Sequence, residues 1–121
     1  MAKILIVEDD TFLSSILRDT LKKGGFDAVG AFNGSEASEK ARTWKPDLVL
    51  LDILLPPTDG FAVLEDIRND PAVANTRVII LSNVNSPEYV ERAKKMGVVD
   101  YMVKVNTTPE SILTKLKSMD L

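Results

Sequence analysis

Pro46-Asp47-Leu48-Val49-Leu50-Leu51-Asp52-Ile53-Leu54-Leu55-Pro56 is the stretch on which the fold turns. Its centre, Leu48 to Leu51, is a continuous apolar run without polar alternation, the pattern of a strand covered on both faces. Pro46 stops any helix arriving from the N-terminal side, and Asp52 closes the run with a charge. Runs of the same kind stand at Ile4 to Val7 and Val78 to Leu81, with weaker ones at Phe26 to Phe32 and Tyr101 to Val103.

The segments between these runs carry helix signals. Asp10 is placed to cap a first helix in which Leu13, Leu17 and Leu21 form an apolar row beside Phe12 and Ile16, ending at Gly24-Gly25. Asn33 and Glu36 have capping-box spacing ahead of Ala37, Ala41 and Trp44, the last expected as a half-buried packing residue. Thr58 or Asp59 caps a third helix with Phe61, Leu64 and Ile67. Ser86-Pro87 and Thr108-Pro109 each read as an N-cap followed by proline at the first helical position. They start a fourth helix (Val90, Ala93, Met96, then Gly97) and a fifth (Ile112, Leu116, Met119).

Strand and helix thus alternate through five units. Right-handed crossovers leave a doubly wound sheet or an eight-unit barrel, and five units cannot close the barrel. The predicted fold is α/β, a five-stranded parallel sheet of order 2-1-3-4-5 covered by five helices. Ligands of such sheets bind beyond the carboxyl ends of the strands, at the switch point of strand order.

Composition narrows the chemistry. The 121 residues suit one domain, 1–121, with a core that needs no staples. Absence of cysteine and histidine excludes disulfides, thiolate zinc sites, thiol catalysis and Ser-His-Asp triads, and points to the reducing cytoplasm. A net charge of −3 argues against direct binding of nucleic acid or anionic lipid, and the longest apolar runs are far too short to span a membrane. GxGxxG and GxxxxGK[ST] loops for nucleotides are missing.

The strand tips carry the reactive residues: Glu8, Asp9 and Asp10 after the first, Asp52 after the third, Ser82 after the fourth, Lys104 after the fifth. In the predicted order the first and third strands are neighbours, so Glu8, Asp9 and Asp52 converge. Three carboxylates raise one another's pKa unless a cation sits among them, and oxygen donors alone select a hard ion, Mg²⁺ or Mn²⁺ before zinc. Mg²⁺ commonly joins carboxylates to a phosphate, for which Lys104 and Ser82 would complete the cradle. Asp52 is then the candidate nucleophile, because carboxylates form aspartyl phosphates. Taken singly, each of these residues has a bland reading as cap, solvated acid or exposed lysine; their coincidence at four strand ends gives the functional one its weight.

Ile4-Leu-Ile-Val-Glu-Asp-Asp10, Pro46 to Pro56 with Asp59-Gly60, Val78-Ile-Ile-Leu-Ser82 and Asp100-Tyr-Met-Val-Lys104 come in order at separations that make the chain resemble the receiver domains of two-component response regulators, along essentially its whole length. The resemblance is to single-domain, chemotaxis-regulator-like members. It implies Asp52 as phosphoacceptor, Glu8 and Asp9 as Mg²⁺-binding acids, the Leu54 backbone carbonyl as a further metal ligand, Ser82 as switch hydroxyl, Lys104 as phosphoryl-pairing lysine and Tyr101 as switch aromatic. It also implies a histidine kinase or histidine phosphotransfer protein as donor and a downstream protein target. The fourth helix, fifth strand and fifth helix would form the changing surface, made locally basic by Arg92, Lys94, Lys95, Lys115 and Lys117. Exposed Ser14 and Arg18 on the first helix would meet the kinase, Leu54 and Val84 would flank the phosphoryl entrance, and the chain would be a monomer, free or part of a longer regulator.

Three positions depart from the family pattern. Val105 replaces the proline usual after the lysine, and a trans peptide is predicted, because cis to valine costs about 2.5 to 4 kcal/mol. Asn83 stands where a small residue is usual and is expected to crowd the phosphoryl entrance or bond the phosphoryl group. Pro57 replaces a glycine and stiffens the loop near Leu54. Val105 and Asn83 motivate an alternative, a receiver-like interaction scaffold without phosphotransfer. A haloacid-dehalogenase-type phosphohydrolase is disfavoured, since Glu8 stands where its nucleophile would be.

Overall fold

The computed structural model describes residues 1–121. Strands β1 (Lys3–Val7), β2 (Asp27–Ala31), β3 (Leu48–Leu51), β6 (Arg77–Ser82) and β7 (Asp100–Val103) form one parallel sheet of order β2-β1-β3-β6-β7. This is the predicted order, with two short strands added between the third and fourth. β4 (Leu54–Leu55) and β5 (Thr58–Asp59) make a two-residue antiparallel ladder, a size that leaves no apolar run to read in the sequence. Phe26 and Phe32 lie just outside β2.

Alternate strand residues face opposite layers. Leu5, Val7, Val49, Leu51, Val78 and Ile80 pack with Phe61, Leu64 and Ile67 of α3 (Gly60–Asn69), Ala37 and Ala41 of α2 (Gly34–Trp44), and Ala93 of α4 (Pro87–Lys95). Ile4, Ile6, Leu48, Leu50, Ile79 and Leu81 pack with Leu17 and Leu21 of α1 (Thr11–Lys23) and Ile112 and Leu116 of α5 (Pro109–Lys117). Trp44 is half-buried against the first layer, with Lys3 Nζ 5.3 Å from its ring centre. No helix is long and apolar enough to cross a membrane.

Most caps are as read. Asp10 accepts from the amides of Phe12 and Leu13, Asp59 from Ala62, and Thr108 forms a reciprocal box with Ser111. Asn33 accepts from the Glu36 amide at 2.8 Å, while the Glu36 carboxylate takes the Phe32 amide, one residue before the cap. Ser86 makes no side-chain cap bond, so α4 starts on Pro87 alone. The helix stops at Lys95, leaving Met96 at its cap, and α5 stops at Lys117, so Met119 packs on the core from beyond the helix.

On α1 the two faces differ from expectation. Ser14 is fully buried and Phe12 is 75% exposed. Ser14, Leu17 and Leu21 fall at i, i+3 and i+7, the stripe that faces the sheet, and Phe12 sits on its flank. Gly30 of β2 makes room for this approach: a Cβ there would lie 3.1 Å from Ser14 Oγ. Arg18 is half-buried, donating to the Ser14 carbonyl and lying over Phe32, so Ser14 and Arg18 are not a free surface.

Candidate functional site

The parallel pairing of β1 with β3 sets Val7 beside Leu51, so the next residues of both strands leave the sheet together. The Asp52 amide donates to the Val7 carbonyl at 3.1 Å and the Glu8 amide to the Ala31 carbonyl at 3.0 Å, carrying the ladder one residue past each strand. Glu8 and Asp52, residues 2% and 3% exposed, are thereby held together, with exposed Asp9 at the rim. Carboxylate oxygens of all three lie within 4.8 Å of one another.

Lys104 opens a short 3-10 turn, Lys104–Asn106, at the end of β7. Its ammonium donates to Glu8 Oε1 at 2.5 Å and Asp52 Oδ2 at 2.6 Å. Glu8 Oε2 accepts from the Asp10 amide at 3.1 Å, and Asp52 Oδ1 from the Leu54 amide at 2.9 Å. Burial pushes the Glu8 carboxyl above its usual range despite Lys104 and the Asp10 amide, which favour its charge. Burial works against the Lys104 charge too, but hydrogen bonds to Asp52 and Glu8 and the charges of both carboxylates together outweigh it and hold the ammonium above the ordinary lysine value. One cation faces three carboxylates, and this all-oxygen set suits a hard divalent ion.

The third element of the site is α3. Gly60 donates to the Ile53 carbonyl at 2.7 Å, and a Cβ on Gly60 would lie 2.1 Å from the Asp52 carbonyl oxygen. Only a residue without a side chain lets α3 begin this close to the Asp52 backbone. Pro56 and Pro57, joined by a cis peptide, turn the loop between β4 and β5, and the Leu54 side chain is exposed beside the carboxylates.

Ser82 ends β6 fully buried; its Oγ accepts from the Val84 amide at 3.2 Å and makes no hydrogen bond to Asp52 or Lys104. Tyr101 is half-buried against the α2–α3–α4 layer, its hydroxyl donating to the Val84 carbonyl. Burial, followed by the charges of Asp52 and Tyr89, raises its pKa. Glu8, Asp9, Asp52 and Lys104 are thus in one cluster, Leu54 touches it through its amide, and Ser82 at the end of β6 and Tyr101 in β7 both bond the backbone of Val84 in the adjoining loop.

Asn83 is engaged with the loop that carries Lys104. Its Oδ1 accepts from the Val105 amide at 3.0 Å, a contact between loops twenty-two residues apart that no local pattern announces. The Lys104–Val105 peptide is trans, as predicted. Val105 also does not deflect Lys104, which reaches both buried carboxylates. The basic residues of α4 and α5 are largely engaged: Arg92 pairs with Glu65 of α3 at 3.1 Å and lies 4.0 Å over Phe61, Lys95 pairs with Glu91, and Lys115 with Asp100.

Residues 4–117 match the family model described as the response regulator receiver domain. The chain is similar to the chemotaxis protein CheY of Thermotoga maritima, 38% identical over 104 residues and 84% of each chain. Among solved structures it is similar to the Vibrio cholerae chemotaxis protein CheY4, with a TM-score of 0.89 at 29% identity over 98% of both chains. It also resembles the BeF3-activated N-terminal receiver domain of Klebsiella pneumoniae RstA, with a TM-score of 0.83 at 34% identity over 96% of both.

Proposed function

The chain belongs to the response regulator receiver domain family of two-component signalling, and from that membership we propose that Asp52 accepts a phosphoryl group from a phosphohistidine. The observation that carries this reading is the cluster itself: two buried carboxylates and a third at the rim within 4.8 Å, with Lys104 already seated between Glu8 and Asp52. Glu8, Asp9, Asp52 and the Leu54 carbonyl are the groups that would hold Mg²⁺. Bound there, the ion would supply positive charge against the transferring phosphoryl oxygens and offset the crowding of the acids.

In the transfer an Asp52 carboxylate oxygen attacks phosphorus, an O–P bond forms, the donor's P–N bond breaks, and the released imidazole nitrogen takes up a proton. The Leu54 amide orients the Asp52 carboxylate through Oδ1. Lys104, now on Oδ2, is placed to pass to the arriving phosphoryl oxygens, where its charge counts most. The acyl phosphate adds about −1.5 to −2 charge. Ser82 would then turn from the Val84 amide to a phosphoryl oxygen, Tyr101 would release the Val84 carbonyl and turn inward, and the surface of α4, β7 and α5 would change toward a protein target.

For the donor we assign a different surface from Ser14 and Arg18. Phe12, Leu54 and Val105, exposed and each within three residues of Asp9, Asp52 or Lys104, form an apolar rim about the acids on which a histidine kinase or histidine phosphotransfer protein would dock. The test is intact-mass analysis after incubation with acetyl phosphate and Mg²⁺. Wild type should gain one phosphoryl group and Asp52→Ala none; an unchanged wild type, or an equal gain in the variant, defeats the assignment.

A further inference from the structure

Asn83 and Val105 each follow a residue that the proposed transfer uses, Ser82 at the end of β6 and Lys104 at the start of the 3-10 turn, and they meet side chain to backbone at 3.0 Å. We propose that Asn83 is a positioning residue for Lys104: by accepting the Val105 N–H it fixes the 3-10 turn from which the ammonium is aimed at Glu8 and Asp52. This rests on the phosphoacceptor reading of the same site.

Apart from the ion pairs of Lys104 itself, the turn has little else to hold it in place. The Val105 side chain is 77% exposed, so packing does not anchor it. Inside the turn, the Thr107 amide returns to the Lys104 carbonyl at 3.1 Å and the Thr107 hydroxyl to Val103 at 2.7 Å, bonds that shape the turn without tying it to a neighbouring loop. Beyond the last sheet pairing, Ser82 with Val103, the Asn83 amide oxygen supplies that tie. The donor exists because residue 105 is valine; a proline would have no N–H to offer. The bond therefore joins the loop that follows Ser82 to the turn bearing the Lys104 ammonium, and a shift of that loop toward Asp52 would be felt at Lys104.

The experiment is a double-mutant cycle on the whole chain with wild type, Asn83→Ala, Val105→Pro and the double variant. It reads the rate of acyl phosphate formation from acetyl phosphate, together with Mg²⁺ affinity from amide NMR shifts. Both positions are exposed, so the variants are expected to fold. Asn83→Ala should slow phosphorylation about threefold to tenfold, the range one hydrogen bond between uncharged groups supports. Mg²⁺ affinity should not fall, because the acids stand at the ends of β1 and β3 and a less firmly held Lys104 competes less for the Glu8 and Asp52 oxygens. In the Val105→Pro background, where the donor is gone, Asn83→Ala should have no further effect. An unchanged rate in Asn83→Ala, an equal loss in both backgrounds, or a parallel loss of Mg²⁺ affinity overturns the positioning role alone. A wild type that takes no phosphoryl group overturns the phosphoacceptor reading and this role with it.

Discussion

Asp9 differs from its two acidic neighbours in having no partner. Lys104 contacts Glu8 and Asp52, and the Asp10 and Leu54 amides satisfy one further oxygen on each, whereas Asp9 is exposed and outside every ion pair. Without a divalent ion, Asp9 contributes repulsion and no compensating bond. Asp9→Asn is therefore expected to stabilise the metal-free protein, by up to about 1 kcal/mol for a partly screened charge, a rise in Tm of roughly 3–5 °C. Excess Mg²⁺ should reverse the order, since an ion held at a hundred times its Kd adds about 2.7 kcal/mol to wild type and less to a variant short of one ligand. Thermal melts in chelator and in Mg²⁺ check both halves; a variant no more stable than wild type in chelator would show that Asp9 is not repelled.

Between residues and whole protein, the start of α3 links helix packing to the site. Its first residue lies against the Asp52 carbonyl and its last buried side chain, Ile67, is in the core, so the helix is wedged between the loop after β3 and the sheet. Gly60→Ala is expected to cost about 1–3 kcal/mol by overpacking, with urea denaturation as the measurement, and to shift the Asp52 and Leu54 amide resonances before other parts of the molecule. Wild-type stability in the variant would mean that the loop yields without strain. The glycine was visible in the sequence, but its purpose was not, because the contact it avoids is with a backbone. Elements with a continuous apolar run, β1, β3 and β6, were legible for the opposite reason: burial on both faces leaves a pattern in the residues themselves. The acid tips followed from strand order. On α1, by contrast, the leucine row was read with Phe12 at its side and Ser14 exposed, and the structure reverses this, because Gly30, a residue of another element, makes room for Ser14. The bond between Asn83 and Val105 was hidden in the same way, since loop adjacency exists only after the sheet has formed.

At the scale of the whole molecule, two apolar layers share one sheet, and each strand of the central three contributes to both. Neither layer can lose its packing while the sheet survives, so unfolding is expected to be a single cooperative transition. Trp44 fluorescence reports one layer and far-ultraviolet circular dichroism the entire backbone; coincident denaturation curves are expected, and separated midpoints would show that the layers melt independently. The attachment of α4 is weaker than that of α3: Ala93 is its one buried residue, against Gly60, Phe61, Val63, Leu64 and Ile67. At its C-terminal end, however, Arg68 of α3 donates to the carbonyls of Met96 and Gly97 and also to those of Ala74 and Thr76, just before β6. Its N-terminal end, nearer the carboxylates, has Pro87 and no capping side chain. Such a rod is anchored at the rim far from the chemistry, so a swing of the near tip must part Tyr89 from the Phe61 ring on which it stacks, and the arc grows with distance from the guanidinium.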